Sequence, residues 1–238
     1  MSPGWDFETE CSAVIMRTPG IKSFRFPIRA KNVRFRAGQF FFVEVLVGGV
    51  KAQHHFSFSN SPTEKGYVEF TKRITASPFS QALNALRPGD WVHLWGPEGD
   101  FTLSRKWKRL AFLSGGIGIT PLRSMMRYVS DKGPDYDIVL LYGNSTYDEI
   151  AFREELETLE RACRTIRVVH ALSTPPPGWA GKVGRIDSRL VAEVVPDFAS
   201  RLFYVSGPPS MVIALEDQLY ALGIPQEQVK RDSFTGYD

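Results

Sequence analysis

The sequence predicts a two-domain chain: an antiparallel β-barrel over residues 1–104, then an α/β domain built on a parallel sheet over residues 105–238. Three observations predict it. Up to about residue 104, short apolar-rich runs are separated by Gly, Pro, Asn and Asp. After about residue 109, patterns of buried strand, loop and helix alternate. The chain is also long enough, with 238 residues and 43% apolar content, to fill one large core or two small ones.

In the first half, ECSAVIMRT (10–18) and KSFRFPI (22–28) read as strands parted by the turn pair Pro19-Gly20. FFFVEVLV (40–47), YVEFTKRI (67–74) and WVHLW (91–95) follow, and SQALNAL (80–86) is a helical piece stopped by Pro88-Gly89. In the second half, LAFLS (110–114), DIVLLYG (137–143), IRVVHAL (166–172) and LFYVSG (202–207) read as buried strands. Helices are expected from 122 to 129, 148 to 161, near 188–194 and from 208 to 222, with the domain boundary near 104–109. TPPPGW (174–179) reads as a surface loop.

Composition excludes several function classes. A formal charge of +3, from 29 basic against 26 acidic residues, is too balanced for nucleic-acid binding. Arg29, Lys31, Arg34 and Arg36, then Arg105, Lys106, Lys108 and Arg109, form local basic clusters that suit either a solvated face or a dock for an acidic partner. Two cysteines, Cys11 and Cys163, are too few for an iron–sulfur centre or a cysteine zinc site, and no metal site is expected. MSPGWDFETE carries no signal-peptide pattern and no apolar run approaches the ~20 residues of a membrane span, which points to a cytoplasmic chain.

Three predicted strands end in glycine. LAFLSGGIGITP places Gly115, Gly116 and Gly118 between a strand and a helix, with Pro121 near the helical start. LLYGNSTYDE turns at Gly143-Asn144, and YVSGPPSM at Ser206-Gly207. Glycine lets a backbone approach a ligand closely, and a helix N-terminus offers unpaired N–H groups to an anion. The spacing is neither G-x-G-x-x-G nor a Walker loop, yet three such turns in one sheet predict a nucleotide crevice beyond the strand ends.

With these pieces in order, the chain resembles the ferredoxin–NADP reductase family from the AGQF turn (37–40) to the terminal FTGY (234–237). His54-His55-Phe56-Ser57 stands at the family's RxYS position, Ser77-Pro78-Phe79-Ser80 at its GxxS position and GPEGDF (96–101) at its GPxGxF. SGGIGITP (114–121) is similar to its glycine-rich nucleotide loop and SGPPSM (206–211) to its CGPPxM. The resemblance implies a flavin, FAD with FMN as the alternative, and NADH or NADPH. It assigns a flavin phosphate to His54, the isoalloxazine face to Phe56 and a hydrogen bond near flavin N5 to Ser57. Phe58, Thr71, Lys72, Arg73, Phe79 and Ser80 complete the implied flavin site. Gly115, Gly116, Gly118 and Thr120, then Tyr142, Gly143 and Asn144, then Ser206, Gly207, Pro208 and Met211 make the implied nicotinamide site. Ser57, Ser206 and Phe234 are the residues expected nearest hydride transfer, with Asp232 beside them.

Three positions depart from the family pattern. Phe56 keeps a ring face but loses a hydroxyl, Ser206 replaces a cysteine, and His54 replaces the arginine. An imidazole cannot match a permanent guanidinium fork, so weak or pH-dependent flavin binding is expected. Ser145 stands where similar members carry arginine, which favours NADH unless Arg123 or Arg153 compensates. His93, His170 and Met125-Met126 read as strand and helix packing. The expected function is hydride transfer from NAD(P)H to the flavin, then electron transfer to a small acidic protein such as ferredoxin or another iron–sulfur protein. The alternatives are a free flavin or ferric reductase, and a non-catalytic nucleotide-sensing subunit.

Overall fold

Seven phenylalanines, Phe24, Phe26, Phe41, Phe56, Phe58, Phe70 and Phe79, share one buried cluster, and the first seven strands fold around it. The computed structural model describes residues 4–133 and 135–234. One antiparallel sheet orders β1 (Trp5–Glu10), β7 (Trp91–Glu98), β4 (Phe40–Val47) and β5 (Val50–Ser57). A second pairs β2 (Ala13–Thr18), β3 (Ile21–Pro27) and β6 (Tyr67–Arg73). The predicted barrel is therefore two antiparallel sheets closed over an aromatic core. In β4, Phe41, Val43 and Val45 face inward and their neighbours do not, the period-2 pattern of a strand with one wet face.

Two strands were not legible in the sequence. β1 reads WDFETE and β5 reads VKAQHHFS, both with polar residues at alternate exposed positions. Both lie at the edges of their sheet, where one apolar face is enough to hold them. Helix α1 (Pro78–Ala85) starts ahead of the expected residue 80. Ser77 is its cap, accepting from Ser80 N at 3.3 Å, and Pro78 supplies the first turn at no hydrogen-bond cost.

The second half is a six-stranded parallel sheet in the order β11 (Lys182–Val183), β10 (Ile166–Leu172), β9 (Asp137–Asn144), β8 (Arg109–Gly115), β12 (Leu202–Gly207), β13 (Val229–Ser233). Helices α2 (Ile119–Lys132) and α3 (Arg153–Ala162) cover one face. Helices α4 (Ser188–Val194) and α5 (Pro209–Ala221) cover the other. The helix expected over 148–161 is interrupted. A 3-10 turn at Tyr147–Glu149 comes first, and Phe152 at φ 60° breaks the path before α3 begins.

The chain runs outward from β8 to β10 and then returns to place β12 on the other side of β8. The crevice of an open α/β sheet lies at such a reversal, and here the turns at Gly115-Gly116 and Gly207 flank it. Tyr204 ties the two halves, its hydroxyl accepting from Ser104 N at 2.9 Å and donating to Thr102 O at 2.8 Å. Cys11 and Cys163 are both free. Of the basic clusters, Arg29 pairs with Glu10 at 2.9 Å, Arg109 pairs with Asp197, and Lys108 lies over the Tyr136 ring.

Candidate active site

A cleft of about 880 Å³ opens between the barrel strands β5 and β6 and the carboxyl ends of β8, β9, β12 and β13. Phe56, Ser57, Thr71, Lys72 and Arg73 line it from the barrel. Gly115, Gly116, Thr120, Gly143, Asn144, Pro208 and Met211 line it from the parallel sheet, and Asp232 and Phe234 close the end.

On the barrel side, Phe56 is stacked on Phe70 at 4.1 Å between ring centroids, which fixes the ring that faces the cleft. Ser57 Oγ donates to Asp232 Oδ2 at 3.4 Å, so the two halves meet at the reactive end. Burial lifts the Asp232 carboxyl to about 6, and the Ser57 bond only partly offsets it. Lys72 is 6% exposed, with Nζ 3.0 Å from Ser80 Oγ and 2.9 Å from the Arg73 carbonyl. Burial lowers its ammonium to about 8. Arg73 turns the other way and reaches Glu149 beyond β9 at 3.3 Å.

On the sheet side, a Cβ on Gly115 would lie 2.1 Å from Met211 Sδ, so the glycine leaves room for that side chain at the start of α5. Asp232, Ser206, Ser114 and Tyr142 lie opposite one another on adjacent strands and form a polar row below the cleft. The Tyr142 hydroxyl donates to Gly116 O at 2.9 Å. Ser114 and Ser206 are fully buried, and their hydroxyls have no hydrogen-bond partner among the described residues. Both side-chain polar atoms of Asn144 are in the same state. A buried cation, the Asn144 amide and glycine turns in the lining suit a ligand with phosphates, a carboxamide and flat rings.

Residues 12–103 match the family model of the oxidoreductase FAD-binding domain, and residues 112–217 that of the oxidoreductase NAD-binding domain. The chain belongs to the ferredoxin–NADP reductase family. It is 30% identical to the reductase component of propane 2-monooxygenase from Rhodococcus jostii, over 98% of this chain and 65% of that protein. It is 31% identical to one polypeptide of the Na(+)-translocating NADH-quinone reductase of Psychrobacter arcticus, over 76% of this chain and 48% of that one. The chain thus spans about half to two thirds of the length of these relatives. A ferredoxin NADP+ reductase from Neisseria gonorrhoeae, solved with bound FAD and NADP, has the same fold, with a TM-score of 0.83 at 20% identity and coverage of 96% and 98%. The ferredoxin reductase in carbazole 1,9a-dioxygenase gives a TM-score of 0.83 at 25% identity, covering 98% of this chain and 70% of that one.

Within this reductase family member, the cleft gathers many of the expected residues but not all. Phe58, past the end of the strand at Ser57, is fully buried in the barrel, stacked 3.8 Å from Phe35 and 4.4 Å from Phe41. At Gly118 a Cβ would lie 2.1 Å from Ser206 O, so the glycine lets the start of α2 pack onto β12. Tyr142, Ser206 and Gly207 lie beneath the cleft floor rather than on it. Phe79 and Ser80 lie behind the barrel wall, where Ser80 accepts from Thr75 N at 2.8 Å. His54 also stands back, its ring centroid 4.3 Å from that of Phe79. Thr235, Gly236 and Tyr237 of the terminal FTGY lie outside the described residues.

Neither arginine suggested as a 2′-phosphate partner is placed for it. Arg123 is buried against Glu64 and Glu155, and Arg153 pairs with Glu157 while lying over the Tyr147 ring. The sequence reading missed Arg185, Ile186 and Gln218, which line the outer part of the cleft with Ser145 and Ser173. A signal existed: Gly184, at φ 103°, follows β11 and makes a fourth glycine turn at a strand end.

Proposed function

We propose that this chain takes hydride from a nicotinamide nucleotide onto a flavin and passes electrons singly to a separate redox protein, such as ferredoxin or another iron–sulfur protein. The observation that carries the reading is the Ser57–Asp232 hydrogen bond, which joins the barrel and the parallel sheet at one end of a shared cleft. Residues 1–104 form the flavin domain in this reading and residues 105–238 the nicotinamide domain. The flavin, when bound, supplies the step from two-electron to one-electron chemistry. Phe56 and Ser57 hold its ring system, and the turns at Gly115-Gly116, Gly143-Asn144 and Gly207–Met211 seat the dinucleotide. Phe234 covers the reactive end, held by its N–H to Gly207 O at 3.1 Å. Asp232 lies within reach of Ser57, and its carboxyl, raised by burial to about 6, takes up a proton only as the pH falls through that value.

The names of the relatives, reductase components of oxygenase systems among them, support a protein acceptor. Within these 238 residues two free cysteines cannot hold a cluster, so the iron–sulfur centre belongs to another polypeptide or segment. NADH is the preferred donor because Arg123 and Arg153 are engaged elsewhere and Ser145 replaces an arginine. No helix among the described residues is long and apolar enough to cross a membrane, and we place the chain in the cytoplasm. A second reading, a free flavin reductase that releases its flavin, is favoured by His54 at the arginine position. The deciding experiment is to record the visible spectrum of the purified protein, identify any released flavin, and follow anaerobic bleaching by NADH and NADPH. Retained flavin that is reduced and then reoxidised by added ferredoxin supports the first reading. Flavin lost on dilution supports the second, and a protein that binds no flavin overturns both.

A further inference from the structure

We propose that Lys72 supplies the positive charge that holds the flavin's phosphate, in place of the arginine that the family carries at the position of His54. The inference rests on the flavin reading above. Lys72 and Arg73 are adjacent on β6, so their side chains leave opposite faces of the strand. Arg73 faces the parallel-sheet domain, where it meets Glu149 at 3.3 Å. Lys72 lines the cleft and faces α1, where its ammonium lies 3.0 Å from Ser80 Oγ behind the barrel wall. One cation of the pair thus serves each half of the site.

The surroundings of Lys72 are those of an anion site. Ser80 is fully buried and its hydroxyl is oriented by Thr75 N at 2.8 Å. The first turn of α1 contains no acidic residue, so its N-terminal dipole is unopposed locally and adds to the charge of the ammonium. His54, by contrast, is packed on Phe79, and burial followed by the nearby positive charge of Lys72 lowers its pKa. At neutral pH its imidazole donates at most one hydrogen bond and brings no charge. Ammonium serves phosphate as a point charge, which asks for proximity but not for the planar fork of arginine. The charge has therefore moved from one strand to its neighbour, and the departure at His54 does not dismantle the site.

The test is to titrate flavin-free protein with FAD, FMN and riboflavin, following flavin fluorescence, for the wild type and for Lys72→Met, Lys72→Arg and His54→Ala. Lys72→Met should weaken FAD and FMN by about tenfold or more, the size of one charge-assisted bond, while riboflavin changes less than about twofold. Lys72→Arg should restore most of the loss, and His54→Ala should change FAD affinity by less than about threefold. Should the methionine variant not fold, Lys72→Gln replaces it, because its amide can keep the bond to Ser80 without the charge. The proposal is overturned if the neutral variant loses FAD and riboflavin equally, if it loses neither, or if His54→Ala has the larger effect. A wild-type protein that binds no flavin at all overturns the flavin reading itself and the proposal with it.

Discussion

Arg123 of α2 reaches out of the parallel-sheet domain and donates to Glu64 of the barrel, with Nη2 3.1 Å from Oε1. The same guanidinium donates to Ser59 O at 2.8 Å and to Glu155 of α3, and the adjacent Ser124 donates to Asn60 O at 2.7 Å. Arg123 is 4% exposed, and Ser59, Asn60 and Ser61 are fully buried. The second half of HHFSFSNSP (54–62) is thus a joint between domains, while His55, Phe56 and Ser57 of the first half line the cleft. Replacing Arg123 with Ala would leave Glu64 and Glu155 without their shared cation, and removal of one partner from a buried pair costs about 3 kcal/mol or more. Urea denaturation of Arg123→Ala should show that loss. A loss below about 1 kcal/mol would mean that the joint behaves as a surface ion pair.

The alternation of the second half was legible because a buried parallel strand needs a continuous apolar run, as in LAFLS and DIVLLYG. The glycine turns were legible for the same local reason: Gly115 leaves room for the Met211 side chain, and Gly116 takes a φ of 52° that favours glycine. What escaped depended on contacts far apart in sequence. Arg123 read as a possible phosphate partner because nothing near it announces Glu64, 59 residues away. The place of Phe58 in the barrel core follows from the strand's end at Ser57, which leaves no mark in the residue types. The burial of Asp232 follows from β13 lying beside β12, which only the topology decides.

Ser206 offers a test of how the polar row tolerates its unmatched hydroxyl. A buried hydroxyl without a partner costs about 1–3 kcal/mol, and a thiol of similar size asks for less. Ser206→Cys should therefore stabilise the flavin-free protein by about 1 kcal/mol, and hydride transfer measured by stopped flow should become a few-fold faster, with a more polarisable atom under the ring. An unchanged or lower hydride-transfer rate would remove Ser206 from the groups that set that rate.

Ser145 tests nucleotide choice. It lines the outer cleft next to Ser173 and Arg185. Ser145→Arg would add a permanent guanidinium there, and one charge-assisted bond to a 2′-phosphate is worth about 1.5–3 kcal/mol. The ratio of kcat/KM for NADPH over NADH should rise by about tenfold or more, through KM rather than kcat. If the wild type already prefers NADPH, Arg185 is serving that role, and Arg185→Ala should abolish the preference.

Asp232 tests the reactive end through pH. The fold raises its carboxyl from the ordinary 3.8 to about 6, chiefly by burial, so the protonated form is the one that the native state favours. The sign follows: this contribution to stability is complete below pH ~4 and is lost as pH rises through ~6, where the native state must carry a partly buried carboxylate. Asp232→Asn keeps the shape and a hydrogen-bonding group toward Ser57 but does not titrate. Its stability relative to wild type should therefore increase between pH 4.5 and 7.5, by about 2 kcal/mol in total, and then level off. Urea midpoints of both proteins across that range measure the difference. A flat difference would mean that the Asp232 carboxyl titrates like an exposed one.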